Sequence, residues 1–144
     1  MPANLFREMK SRAFVVLTTR RYREIVDRFE EMARASFAEA RTIPEICAAL
    51  MIGQRTLTRA VRAVHSTTPS RYLHGLALAE ARAALQDPAT RSVRQVALRC
   101  GFRELGRFAA DYRAAYGEYP SETLRRSSGA QLDDDLGAAC DARR

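Results

Sequence analysis

An all-α fold is what this sequence predicts, and three observations carry the prediction. Glycine and proline are scarce, seven and five among 144 residues, while Ala, Leu and Arg are abundant, a composition that suits helices. Apolar residues recur at three-and-four spacing in segment after segment, as they do where each helix buries one stripe. The chain also repeats itself: a helix-turn-helix pattern in its first half returns about fifty residues later.

Residues 1–20 are the least patterned. Phe14 to Leu17 reads as a short strand or as an extension of the next helix, and the segment as an arm or the remnant of a larger upstream domain. From Arg21, RYREIVDRFEEMARAS is amphipathic: Tyr22, Ile25, Val26, Phe29, Met32 and Ala33 share a face, with charges opposite. Thr42-Ile43-Pro44-Glu45 has the form of a capping box with an early proline. It opens a helix to about Leu50 that buries Ile43, Ile46, Cys47 and Leu50. Met51-Ile52-Gly53 makes a turn. A second helix, Gln54 to about His65, turns Leu57, Val61 and Val64 inward and Arg55, Arg59 and Arg62 outward. Two helices joined by a short turn, the second with a basic outer face, predict a helix-turn-helix over 42–66.

Thr68-Pro69 starts a long helix over 69–86 with Tyr72, Leu73, Leu76, Ala79 or Ala81 and Leu85 as candidate core positions, closed by Asp87-Pro88. Gly75 weakens it by roughly 1 kcal/mol relative to Ala. Its length, roughly 27 Å at about 1.5 Å per residue, suits a spacer between two units reading DNA about one duplex turn apart.

The first unit then returns over 92–117. Ser92-Val93-Arg94-Gln95 matches Thr42 to Glu45 at an offset of 50, and Val96-Ala97 matches Ile46-Cys47. After the turn the offset becomes 51, pairing Phe108 with Leu57, Tyr112 with Val61, Tyr116 with His65, and Pro120-Ser121 with Pro69-Ser70. In GFRELGRFAADYRAAYGEYPS the aromatics recur every fourth residue, while Arg103, Glu104, Arg107 and Asp111 fall on other faces of the helix. A last helical turn is expected from Pro120 through Arg126, then a disordered acidic tail over 127–144.

The formal net charge is +7. Residues 127–144 hold four Asp and two Arg, a net of −2, so residues 1–126 carry +9, almost all as Arg, with Lys10 the only lysine. That balance fits a polyanionic partner, and arginine suits phosphate and guanine; a coding bias toward Arg and Ala is the plainer explanation of the raw count. Cys47, Cys100 and Cys140 show no CxxC spacing and no clustered His, so a metal site and a disulfide framework are not expected, and the protein reads as reduced and cytoplasmic. The apolar run Ala13 to Leu17 is too short for a signal peptide or a membrane span. Cys47 and Cys100 sit at packing positions. No Gly-rich loop or activated nucleophile points to catalysis, and neither an enzyme nor a cofactor is expected.

The second repeat resembles the second helix-turn-helix of the AraC/XylS family of bacterial transcription regulators. Ala97, Gly101-Phe102, Phe108, Tyr112, Tyr116-Gly117 and Pro120-Ser121 match its pattern, and LGRFAADYRAAYGEYPSETL is most similar to the xylene/benzoate and ethanolamine-utilisation subgroup. The likeness extends over about 21–126 through Ile46, Leu57, Arg59, Pro69, Tyr72-Leu73 and Ala81-Arg82. It implies two helix-turn-helix units joined by a long helix, each inserting a recognition helix into the major groove of double-stranded DNA. Departures are Gly53 for a capping Ser, Val61 and His65 for aromatics, Ser66 for a turn Gly, and Arg103-Glu104 for Trp-His. Residues 1–20 are too short to be a sensor domain, so the expectation is a short regulator or a shortened copy of a longer one.

Base-reading candidates are Arg55, Thr58 and Arg59 in the first unit and Arg103, Glu104, Leu105, Gly106 and Arg107 in the second, with Ala109 and Ala110 further along. Arg reads guanine O6 and N7, Glu accepts from cytosine N4, and Leu or Ala meets thymine methyls. Arg62, Arg113, Arg125 and Arg126 are phosphate candidates. The plainer readings are a solvated basic face for the arginines and a helix-dipole charge for Glu104. The expected protein is a monomer on DNA that activates transcription through RNA polymerase. The alternative is a competitor that occupies the sites of a full-length relative, or pairs with it, without activating.

Overall fold

The computed structural model describes residues 3–129, with side chains described from residue 15. Helices α1 (Ala3–Ala35), α2 (Ile43–Leu50), α3 (Gln54–His65), α4 (Pro69–Gln86), α5 (Val93–Arg99) and α6 (Leu105–Tyr116) follow in order, with a 3-10 helix at Phe37–Glu39. A further helix, α7, covers residues 120–129. Among the described residues there is no strand, and the fold is all-α. None of these helices is long and apolar enough to cross a membrane.

Contacts divide the chain into two compact units. One takes the chain to Ser36 together with Arg41–Gly75; the other takes Phe37–Ala40 and the chain from Leu76. In the first, α1 packs on α3 and α2. Val26, Phe29 and Ala33 of α1 are buried with Ile46, Cys47, Leu57, Ala60 and Val61, and Arg28 donates to the Leu50 carbonyl at 3.4 Å. The second unit is built on Leu78, Ala81, Leu85, Val96, Ala97, Cys100, Phe108 and Tyr112.

The turns reproduce the internal repeat bond for bond. Met51 and Gly101 are both left-handed, at φ 55° and 85°. Their N–H groups bond to Ala48 and Leu98 carbonyls at 3.1 Å, and those of Ile52 and Phe102 reach back to Cys47 and Ala97 at 3.0 and 2.9 Å. Ser66 and Gly117 are left-handed at φ 54° and 76° and close α3 and α6 on the carbonyls of Arg62 and Arg113. The helix starts are related but not identical. At α2 the Glu45 carboxylate accepts from the Thr42 N–H at 2.6 Å and its hydroxyl at 2.8 Å. At α5 the Ser92 hydroxyl accepts from the Gln95 N–H at 3.3 Å.

Several expectations are corrected. The helix expected from Arg21 begins at Ala3, because no Gly or Pro interrupts residues 3–35; Phe14 to Leu17 lies inside it, and the strand alternative is gone. Phe37 was given no role, yet it is buried in the second unit. In α4 the buried residues are Pro69, Ala77, Leu78, Ala81 and Leu85, whereas Leu76 is half-buried and Ala79 exposed. Arg103 and Glu104 are not on a helical face: they form the turn before α6, with Glu104 as its N-cap residue, making no side-chain cap bond. Helix α7 runs through residue 129 rather than ending at Arg126. Ser127 ties it down by donating to the Leu85 carbonyl, 2.8 Å away, so the expected tail loses 127–129; its remainder, 130–144, lies outside the described residues.

Candidate nucleic-acid interface

Helix α3 has two chemically distinct sides. Leu57, Ala60 and Val61 are fully buried, while Arg55, Thr56, Arg59 and Arg62 are exposed. The periodicity that hides the first set forces the second outward. Thr58 is half-buried, and its hydroxyl donates to the Gln54 carbonyl at 2.9 Å, leaving its oxygen lone pairs to accept. The far end of α3 is anchored by His65, whose ring stacks on Tyr72 at 4.2 Å with Nε2 4.0 Å from Glu30. The Tyr72 hydroxyl donates to the same Glu30 carboxylate. Burial, reinforced by that bond, pushes the Tyr72 phenol well above its usual pKa.

Helix α6 is held by aromatic packing. Phe102, Phe108, Tyr112 and Tyr116 form a chain of ring contacts with centroids 4.7, 5.7 and 4.8 Å apart, and the Arg82 guanidinium lies 4.4 Å from the Tyr116 centroid. The Thr123 hydroxyl donates to Glu118 at 2.7 Å. With that single proton used, the Tyr112 hydroxyl is the donor in its 2.9 Å contact with Thr123. Glu118 also pairs with Arg126. The Thr123 bond and Arg126 hold the Glu118 carboxyl below its ordinary range, as the Thr42 bonds do for Glu45.

The outer side of the second unit is less basic than that of the first. Arg103, Glu104, Leu105, Gly106, Arg107 and Ala110 are exposed and Ala109 is half-buried. A Cβ added at Gly106 would meet nothing within 4 Å, so packing does not require glycine there. The structure therefore brings Arg55, Thr58, Arg59 and Arg62 onto one helix, and Arg103 to Arg107 onto the turn and first residues of another. The outlying phosphate candidates differ. Arg125 is exposed on α7, Arg126 is engaged by Glu118, and Arg113 is engaged by Tyr119. Thr56 was overlooked. It is exposed on the outer side of α3, and the offset of 51 that pairs it with Arg107 marks it in the sequence. Among the described residues, no group of three or more His, Cys, Asp or Glu is placed to hold a metal ion. Burial raises both Cys47 and Cys100, the latter to about 11, which is packing rather than thiolate chemistry.

Comparison with known proteins agrees with this geometry. A family model described as a helix-turn-helix domain matches residues 46–126. The XylDLEGF operon transcriptional activator of Pseudomonas putida is 44% identical over 78 residues, 53% of this chain and 24% of that protein; the chain thus spans about a quarter of that relative's length. XylDLEGF operon transcriptional activator 2 of the same organism is 34% identical over 105 residues, 72% of this chain and 64% of that one. Among solved structures, a probable AraC family transcriptional regulator from Rhodopseudomonas palustris superposes with a TM-score of 0.60 at 37% identity, covering 71% of this chain and 95% of that one. With the second helix-turn-helix unit and most of the first inside the matched region, the chain belongs to the AraC/XylS family of helix-turn-helix regulators.

Proposed function

We propose that the protein is a sequence-specific DNA-binding transcription regulator that lays α3 and α6 into successive major-groove segments of double-stranded DNA. One observation carries the reading: each helix buries apolar side chains on one side and presents arginine outward, and Arg55, Arg59, Arg62, Arg103 and Arg107 make no ion pair among the described residues. A structural ion-pair network would have spent those charges. Arg55, Thr58 and Arg59 read bases in the first segment. Arg103, Glu104, Leu105, Gly106 and Arg107 do so in the second, while Arg62, Arg113 and Arg125 bind phosphate, with Arg126 joining only when it leaves Glu118. Phosphate contacts supply most of the affinity and base contacts the preference.

The relatives named as activators support activation; in our reading the protein acts as a monomer that contacts RNA polymerase in the cytoplasm. Selecting binding sites from fragmented genomic DNA with the purified protein identifies its operator. On that operator, Arg59→Ala and Arg107→Ala each cost about 1–3 kcal/mol and relax the preference at one position, while binding to unrelated duplex changes little. Equal affinity of both variants and the parent for the selected site would overturn the base-reading assignment. A promoter reporter driven from that site rises with an activator and falls with a competitor.

A further inference from the structure

The internal repeat separates two kinds of outward position. At the offset of 51, Arg55 corresponds to Gly106, Thr56 to Arg107 and Arg59 to Ala110, so the chemistry differs between the units. Arg62 and Arg113 coincide (113 − 62 = 51). Positions that read bases differ when two units face different base pairs, whereas a position that grips the sequence-independent phosphate backbone stays cationic in both.

The surroundings of these two arginines are not alike. Arg113 donates from Nη1 to the Tyr119 hydroxyl at 2.6 Å, and its guanidinium carbon lies 4.7 Å from the Tyr119 ring centroid. Tyr119 is itself fixed as the residue immediately before α7. Its N–H donates to Glu122 at 2.6 Å, and its carbonyl accepts from the N–H groups of Glu122 and Thr123 at 2.9 and 3.2 Å. The neighbouring Glu118 is occupied by Thr123 and Arg126, so it does not draw Arg113 away. Fifty-one residues before Tyr119 stands Thr68, which has no ring. Arg62 therefore has no equivalent platform.

We propose that Tyr119 is a positioning residue for DNA binding: stacked under Arg113 and bonded to it, the ring holds the guanidinium in place before DNA arrives. One N–H is used on Tyr119, and the remaining N–H groups are free for a phosphate. An arginine already immobilised gives up less freedom on binding than a mobile one. The second unit thus carries a preset phosphate clamp and the first a free one. This rests on the DNA-binding reading above, with Arg113 as a phosphate contact.

The test is fluorescence anisotropy of the full chain over a salt series, on a duplex bearing the selected site and on a scrambled duplex. Arg113→Ala weakens both duplexes alike and makes the log-affinity against log-salt slope shallower by about 0.9. Tyr119→Ala and Tyr119→Leu weaken both duplexes about three- to tenfold, with unchanged melting temperatures. Tyr119→Phe, which keeps the stack, recovers most of the loss. In the Arg113→Ala background, Tyr119→Ala adds nothing. The proposal is overturned if Tyr119→Ala binds like the parent, or weakens the Arg113→Ala protein by the same factor as it weakens the parent. It also falls, with the DNA reading intact, if Arg113→Ala keeps the parental slope while Arg59→Ala weakens the selected site. If no variant alters binding to either duplex, the DNA reading fails as well.

Discussion

Met51 and Gly101 hold the same turn of two repeats, and the same left-handed backbone means something different for each. Met51 carries a side chain at φ 55° and is 92% exposed, so nothing crowds it beyond its own backbone. At Gly101 a Cβ would stand 2.7 Å from the Phe37 carbonyl oxygen, in a backbone already at φ 85°. Left-handed geometry costs an ordinary residue about 1–2 kcal/mol, and at Gly101 the clash with fixed backbone adds to it. Gly101→Ala is expected to lose about 2 kcal/mol or more of stability, whereas Met51→Gly should gain up to about 1 kcal/mol. Denaturant unfolding of the two variants checks both signs. The glycine itself was legible as part of a Gly-Phe turn. The carbonyl that makes it irreplaceable belongs to Phe37, more than sixty residues earlier, and no local pattern announces such a contact.

At the scale of elements, α3 and α6 are the same device built from different side chains. The stripe Phe108, Tyr112 and Tyr116 was readable from its spacing alone, and so was the arginine side of α3. The hydrogen-bond chain from Tyr112 through Thr123 to Glu118 was not, because it joins α6 to α7 through a hydroxyl that nothing in the pattern distinguishes from a surface threonine. Thr123 is 3% exposed, so its oxygen depends on Tyr112 and Glu118. Tyr112→Phe keeps the ring packing and removes one donor, with an expected loss of about 1 kcal/mol seen as a lower melting temperature. The backbone of α6 is unchanged by this variant, so far-ultraviolet circular dichroism should retain its shape. Arg103 and Glu104 show the reverse limit: both are exposed, but the helix starts at Leu105, two positions later than a reading from helical period alone placed it.

The whole molecule responds to pH through its helix starts and its buried phenols. Glu45 and Glu118 both have carboxyls held below the ordinary value of 4.5, so the folded protein binds fewer protons than the unfolded chain in acid. Their stabilisation is complete above about pH 4.5 and is lost as pH falls through the lowered values. Tyr72 and Tyr112 act at the other end. Burial raises both above 10.0, so their contribution holds below that pH and disappears as the unfolded chain begins to ionise. Melting temperatures measured from pH 3 to 11 should therefore fall at both ends, and Glu45→Gln should flatten part of the acid limb.

By itself the amino-acid sequence determined the helices, the two repeats, their caps, the buried stripes of α3 and α6, and the arginines that face away from them. All of these follow from short-range rules, the 3.6-residue period and the stereochemistry of capping and turn residues, which act within a few positions of the chain. Tertiary structure decided which side chains meet across elements. It put Phe37 against Gly101, buried Thr123 under Tyr112, and set Tyr119 beneath Arg113 while pairing Arg126 with Glu118. Those contacts depend on which side chains a folded unit brings together, and that choice divides the outward arginines into ones already held and ones left free.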